Sequence, residues 1–409
     1  MLTSAHSSNP GKRRKGAGEN PATQRESSRA LAVVDLFKVF MSPAAGEAAS
    51  RTLHSGYIGQ GPRVEEFERE LGSFLGSNRV ATVNSGTSAL HLALHLLRHP
   101  VGRAPTTDGA EVITTALTCT ATNWPILANR LRIRWCDIDP STLNIDLDDV
   151  ARNLTPRTKI VMVVHWGGHP VDLDRLSDIL EEAERRRGIR VRVIEDCAHG
   201  FGSLYKGRAV GSRRNIGCYS FQAIKHVTSI DGGCLVCPDA ETYEHAKLLR
   251  WYGIDRESPK GDFRCENDVE EWGYKFHMND VCAAVGLANL RHAGELIARH
   301  RANAAYYDEY LAGVPGLRLL RRSHESTSSF WLYSMLVERR AAFMAKLKGQ
   351  GIITSQVHER NDKHTCARQF RTTLPNLDRW LPELVNIPVG WWVSDEDRER
   401  IVNCIRSGW

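Results

Sequence analysis

Residues 191–199 read Val-Arg-Val-Ile-Glu-Asp-Cys-Ala-His, and residues 218–225 read Cys-Tyr-Ser-Phe-Gln-Ala-Ile-Lys. The first stretch decides the fold. An apolar strand, Val191–Glu195, runs straight into Glu195 and Asp196, which suits the carboxyl edge of an α/β sheet, where such sheets bind ligands. A carboxylate at that edge is costly to desolvate without a cationic partner. A protonated ring nitrogen on a cofactor is one such partner; capping or facing solvent is the ordinary alternative.

Working outward, short apolar strands are expected at Val80–Val83, Glu111–Thr115, Ile133–Ile138 and Lys159–Trp166, then at Gly217–Phe221 and Gly233–Val236. Helical spacing lies between them. Pro62–Leu75 carries Val64, Phe67, Leu71 and Phe74 behind a proline suited to a first helical turn. Thr87–Leu97 and Asp172–Arg187 read the same way. This alternation predicts an α/β fold whose largely parallel sheet is covered by helices on both faces. A long helical region is expected from Asn279 to about Leu311, broken by Pro315-Gly316. Beyond it, Phe330–Val337 and Leu384–Ile387 read as strands, and Ala341–Lys348 and Asp395–Ile405 as helices. The expected division is a tail over 1–30, a large domain over 31–311 and a small α+β domain over 312–409.

The tail is rich in Ser, Gly, Pro and Asn and too poor in apolar residues to order itself. It holds six Lys/Arg against Glu19 and Glu26, leaving only about +2 of the net +6 for the other residues. Lys12–Lys15 reads as a solvated arm, with contact to an anionic surface as the sharper alternative. The remaining body is too near neutral for a nucleic-acid surface. No stretch approaches the ~18 apolar residues of a membrane helix, and the first residues lack a secretory pattern, so a cytoplasmic protein is expected. Ten cysteines in 409 residues is not disulfide density. Cys234 and Cys237 form a CxxC on a predicted strand, where they face opposite ways. With no second CxxC and no HExxH, no metal site is expected.

Three constellations carry chemistry. Asn84-Ser85-Gly86-Thr87-Ser88 joins a strand to a helix, where free amides, a partial positive charge and a close-approaching glycine suit a phosphate. Ser/Thr there is equally an ordinary N-cap. Asp196 is the second. Lys225 is the third: an amine becomes a nucleophile once burial or charge lowers its pKa, and Ser220, five residues earlier, could donate to a phosphate. In that order, a phosphate cradle, a carboxylate and a lysine 29 residues on match the needs of pyridoxal 5′-phosphate (PLP).

These residues make the chain resemble the DegT/StrS nucleotide-sugar aminotransferases, within the fold-type I PLP enzymes. The resemblance runs from about Gly56 to the C-terminus. Its marks are Gly59–Glu68 (GQGPRVEEFE), Asn84–His91 (NSGTSALH), Asp137-Ile138-Asp139-Pro140, Thr142–Asp146 (TLNID), Glu195–His199 (EDCAH), Ser220-Phe221 with Lys225, Asp231-Gly232-Gly233, and Gly273-Tyr274 leading to Met278. The resemblance implies that Lys225 forms the Schiff base with PLP and moves the proton, that Asp196 pairs with the pyridine nitrogen, and that His199 lies beside the phenolic oxygen. It implies that Ser85, Gly86, Thr87 and Ser220 hold the phosphate. The implied reaction moves an amino group from L-glutamate to a keto sugar, nucleotide-linked, in a homodimer with shared sites. A cyclitol ketone as acceptor, or a non-catalytic regulator keeping the fold, are the alternatives.

Two positions depart from the pattern. Lys275 stands where the family has an asparagine reaching the partner's phosphate; an ammonium can serve there as a point charge. Cys119 stands where an aromatic ring normally stacks on the cofactor, leaving Trp124 or His199 to cover that face. The substrate is expected to meet His324, Ser328, Trp331, His358, Arg360, Asn361, Asp362 and His364, with Arg360 and Trp331 suited to a nucleotide diphosphate. Trp391-Trp392 reads as packing or an interface.

Overall fold

In the computed structural model, residues 32–102, 105–257 and 268–409 are described; the 1–30 tail lies outside them. The central sheet contains β1 (Val80–Val83), β2 (Glu111–Thr115), β3 (Arg132–Cys136), β4 (Thr158–Val164) and β5 (Arg192–Asp196). A short hairpin follows, β6 (Leu204–Tyr205) and β7 (Arg208–Ala209), before β8 (Ile216–Ser220) and β9 (Gly233–Val236) rejoin the main sheet. The seven-stranded order is β1-β9-β8-β5-β4-β2-β3. Every neighbouring pair is parallel except the two made by β9. The α/β sheet read from the sequence is therefore present.

Strand alternation distributes the core. Ile160 and Met162 of β4 pack in one layer with Val112, Ile194 and helix residues Leu92 and Leu94. Val161 and Val163, one step along, pack on the other side with Ile113, Leu176 and Leu180. Successive side chains of a strand point to opposite faces, so helices must cover both. Cys234 and Cys237 fall in different core layers by the same rule, both as free thiols.

Local chemistry fixes the helix starts that matter. The Gly86–Arg98 helix is capped by Ser85, whose Oγ accepts from the Ser88 amide at 3.0 Å. The Leu173–Arg187 helix is capped by Asp172, accepting from the Arg175 amide at 3.0 Å. The long helical region is two helices, Asp280–Leu290 and Ala293–Tyr310. The chain leaves α geometry where the His292 amide bonds to the Asn289 carbonyl, an i→i−3 step. Asn289 is fully buried there, its side chain tied to Ser42 and Thr228, which no breaker residue signals in the sequence.

A second sheet, β10 (Leu317–Leu319), β12 (Tyr333–Val337) and β13 (Leu384–Ile387), is antiparallel, while β11 (Ser326–Thr327) joins the β6–β7 hairpin. Its core also takes Ala304, Tyr307 and Leu311. Val34 joins that core too, pairing with Ile352. Among the described residues, no helix is long and apolar enough to cross a membrane.

Candidate active site

The carboxyl ends of β5 and β8 and the N-terminus of the Gly86–Arg98 helix meet at one place. On β5 the period of two separates the adjacent carboxylates. Glu195, fully buried, accepts from His165 Nε2 (3.0 Å), the Gly211 amide (2.7 Å) and Asn215 Nδ2 (2.8 Å). The Val171 amide donates to His165 Nδ1 at 3.1 Å, so the ring proton sits on Nε2 and is given to Glu195. Burial pushes the Glu195 carboxyl up, but His165 and the other donors outweigh it and hold it below the usual range. His165, Glu195 and Cys197 bring ligand-type atoms within 4.8 Å of one another; here the first two are spent on each other, and burial pushes the Cys197 thiol well up.

Asp196 faces the other way. Its Oδ2 accepts from Thr122 Oγ1 at 2.7 Å and its Oδ1 from the Ala198 amide at 3.0 Å. Thr118 Oγ1, 2.8 Å from Thr122 Oγ1, completes a short hydroxyl chain. Burial dominates, and the Asp196 carboxyl lies above its ordinary value despite these donors and the nearby Lys225.

Lys225, half-buried, lies within charge range of that carboxylate. Burial lowers its amine to about 8, against the pull of Asp196 and of Cys119, so an appreciable fraction is uncharged near neutral pH. Its Nζ lies 3.7 Å from the centroid of the Trp331 ring. His199, also buried, stacks on Trp331 (3.9 Å, 21°) and lies parallel to His358 (5.4 Å). Burial and the Lys225 charge hold His199 well below its ordinary pKa, and burial with the same charge holds His358 at about 4. Both rings are neutral.

The cradle is built by backbone contact. A Cβ added at Gly86 would lie 2.7 Å from Ser220 Cβ, and one at Gly233 would lie 2.6 Å from the Ser85 carbonyl group. Only glycines allow three segments to come this close. The Gly86 and Thr87 amides, in the first helical turn, have no carbonyl within the helix to bond, and the Thr87 and Ser220 hydroxyls flank them. Free amides on a helix N-terminus with hydroxyls beside them fit a phosphate. A buried carboxylate short of a cation and a half-buried, partly neutral amine fit the ring nitrogen and aldehyde of PLP. The residues present match the group.

Lys275 is exposed. Its carbonyl accepts from Asn84 Nδ2 at 3.3 Å, and the next carbonyl, of Phe276, accepts from the Asn84 amide at 2.6 Å. Cys119 is half-buried at the start of the Thr120–Ala128 helix, near Lys225. Trp124 packs instead against His364 (5.7 Å).

Several expectations for the substrate loops change. Trp331, 3% exposed, donates its indole N–H to the Ile224 carbonyl at 2.9 Å; it presents no free face to a base. The Arg360 guanidinium is forked onto Asp362 (2.7 and 2.6 Å) and paired with Asp378, so its charge is already matched. Asn361 ties its loop to the Thr118 carbonyl (2.7 Å) and to Asn123 (3.0 Å). His324 is exposed and Ser328 is buried, accepting from the Phe330 amide at 3.0 Å. Trp391 meets Phe40 edge-on and Trp392 donates to the Asp35 carbonyl at 2.7 Å, so both pack onto the chain's own early segment. Thr122 was not foreseen, nor was the place of Trp331 against Lys225. A threonine inside an apolar helix and a tryptophan 106 residues away in sequence carry no local signal of either.

A sequence profile described as the DegT/DnrJ/EryC1/StrS aminotransferase family matches residues 42–406. The fold is similar to AtS13 from Actinomadura melliaura (TM-score 0.89, 50% identity, covering 93% of this chain and 100% of that one). It is similar also to the sugar aminotransferase CalS13 from Micromonospora echinospora (TM-score 0.87, 46% identity, covering 92% and 100%). In sequence, the dTDP-4-dehydro-2,3,6-trideoxy-D-glucose 4-aminotransferase of Saccharopolyspora spinosa is 32% identical over 79% of this chain and 83% of its own length.

Proposed function

The chain belongs to the DegT/DnrJ/EryC1/StrS aminotransferase family, and from that premise we propose that it moves the amino group of L-glutamate to a nucleotide-linked keto sugar, using Lys225 as its central amine. It is a PLP-dependent sugar aminotransferase. When bound, PLP supplies an aldehyde to receive the amino group and a cationic ring to draw off electrons. The protein does the rest. The Gly86 and Thr87 amides, with the Thr87 and Ser220 hydroxyls, bind and orient the phosphate; the Ser85 hydroxyl, expected to join them, is spent on Ser88 as the helix cap. Asp196 holds a proton on the ring nitrogen, steadied by Thr122 and the Ala198 amide. His199 lines the ring beside its phenolic oxygen.

Lys225 Nζ would act as base at the donor's α-carbon and as acid at the aldehyde carbon that PLP supplies, with the two roles exchanged in the opposite half-reaction. The observation that carries this reading is the placement of that amine, 3.7 Å from the Trp331 ring and within charge range of Asp196, where desolvation lowers it to about 8. The reading extends to a cytoplasmic homodimer in which Lys275 reaches the partner's phosphate site, supported by its exposure beside the Asn84 turn. The nucleotide link of the acceptor is supported by the sequence relative that acts on a dTDP sugar.

The test is direct. The purified enzyme should be yellow and should bleach on adding L-glutamate, and a nucleotide keto sugar should then restore the colour. Borohydride reduction followed by peptide mapping puts the pyridoxyl adduct on Lys225, and Lys225→Ala abolishes turnover. Restoration by a cyclitol ketone but not by a nucleotide keto sugar overturns the acceptor. An adduct on another lysine overturns the site.

A further inference from the structure

The assigned chemistry leaves one contact unused. Lys225 Nζ lies 3.7 Å from the Trp331 ring centroid, closer than any other cation lies to an aromatic ring among the described residues. The ring is not free to drift. Its indole N–H is held by the Ile224 carbonyl, the residue next to Lys225, at 2.9 Å. Phe37 stacks on it at 5.1 Å and His199 at 3.9 Å. The segment carrying it is pinned on both sides. The Ser329 amide donates to Ser203 Oγ (3.0 Å), and the Leu332 amide donates to the Gly167 carbonyl (3.2 Å).

The groups facing Lys225 are Asp196 from β5, His199 beyond it, Cys119 before the Thr120–Ala128 helix, His226 next in sequence, and His358 from the C-terminal loops. Burial pushes the three histidines below their ordinary values and leaves them neutral. Among the described residues, the cation this aromatic pile receives is therefore the lysine ammonium. An indole face attracts a cation through its quadrupole, more strongly than a phenyl ring does, and most of all where water is excluded.

We propose that Trp331 is a positioning residue for Lys225, its indole face serving as the seat of the ε-ammonium whenever that amine is not joined to the cofactor. This rests on the reading of Lys225 as the central amine. The reaction requires the amine to leave the cofactor and return to it in every cycle, and a half-buried ammonium without a seat would swing toward Asp196. Pairing there would spend the carboxylate that the ring nitrogen needs. The indole offers a second place for the charge, fixed by its N–H bond at one end and stacked rings around it. Trp331 thus gives the Lys225 charge a fixed place off the carboxylate.

The experiment uses the full-length enzyme loaded with pyridoxamine 5′-phosphate, in which the Lys225 amine is free. Trace acetylation with acetic anhydride across a pH series, quantified on the Lys225 peptide by mass spectrometry, gives the titration of that amine. Trp331→Leu keeps an apolar wall but removes the quadrupole; Trp331→Phe keeps a weaker one. The expected order of Lys225 pKa is Trp above Phe above Leu, with Leu about 0.5–1 unit below wild type, a three- to tenfold weaker hold on the proton. A Leu variant that titrates with wild type, or above it, overturns the proposal. If Leu proves too destabilising to load, the Phe variant alone decides, since it must lie below wild type. Borohydride mapping of the wild-type enzyme separates the two layers. An adduct on another lysine sinks the reading of Lys225, whereas an adduct on Lys225 with unmoved titrations sinks only the role of Trp331.

Discussion

Thr122→Val removes one hydroxyl from the site and little else, and the consequence can be worked in sign as well as size. The lost O–H donates to Asp196 Oδ2 at 2.7 Å inside the protein. A hydrogen bond to a charged group contributes about 1.5–3 kcal/mol. At 1.36 kcal/mol per unit, the Asp196 carboxyl, already raised by burial, climbs about one to two units further. A carboxyl raised in the fold binds its proton more tightly there than in the unfolded chain. Stability therefore falls as pH rises from the unfolded value through the folded one, and the full cost persists above both. The loss caused by Thr122→Val must be largest on the alkaline side and shrink as Asp196 protonates. Urea unfolding of the cofactor-free enzyme, at one protein concentration so that any assembly term is constant, should show about 2 kcal/mol lost at alkaline pH and a smaller loss at acid pH, where Asp196 is protonated. Thr122→Ser, which keeps the hydroxyl, should lie near wild type at both. An equal loss at both pH values would mean that Thr122 only fills space, and the account of Asp196 would fail.

Two further outcomes follow from the same geometry. Asp196→Asn should still take up PLP but slow amino transfer on the order of 100-fold or more, because the ring nitrogen loses its charge partner; single-turnover bleaching by glutamate measures this, and a wild-type rate refutes it. Gly86→Ala brings a Cβ to 2.7 Å from Ser220 Cβ, and overpacking of about 1–3 kcal/mol should weaken PLP binding roughly 5- to 150-fold. A fluorescence titration with unchanged affinity would show that the cradle is not the phosphate site.

The sheet was legible because its signal is local. Apolar runs such as Ile160–Val164 have no polar face to offer solvent, and only a sheet covered twice accommodates them. The site residues from β5, β8 and the Gly86 turn were legible for a related reason, since each sits where a strand ends. What stayed hidden depends on tertiary approach. The order that seats antiparallel β9 between β1 and β8 is set by packing across crossovers. The break between Leu290 and Ala293 lies beside a buried asparagine bonded to Ser42 and Thr228, 247 and 61 residues away. Trp331 reads in sequence as a loop aromatic open to a ligand; only the Ile224 carbonyl and Lys225 amine, brought together by the fold, turn it inward.

The two neighbouring carboxylates argue most closely for what the site accepts. Glu195 has three donors, one of them the His165 ring N–H, and its charge is settled within the protein. Asp196 sits one residue on, equally deep, with a hydroxyl and one amide. That is too few to offset the loss of water, and its pKa stays high while that of Glu195 stays low. The nearby ammonium does not close the difference, for it lies against the Trp331 ring. An additional N–H cation pointed at Asp196 would lower its pKa by charge as well as by hydrogen bonding, where a hydroxyl or a neutral amide offers only the hydrogen bond. The demand is thus for a positively charged nitrogen on a molecule that also fills a phosphate cradle and meets the Lys225 amine. Few small molecules other than a protonated pyridine carrying an aldehyde and a phosphate satisfy all three at once.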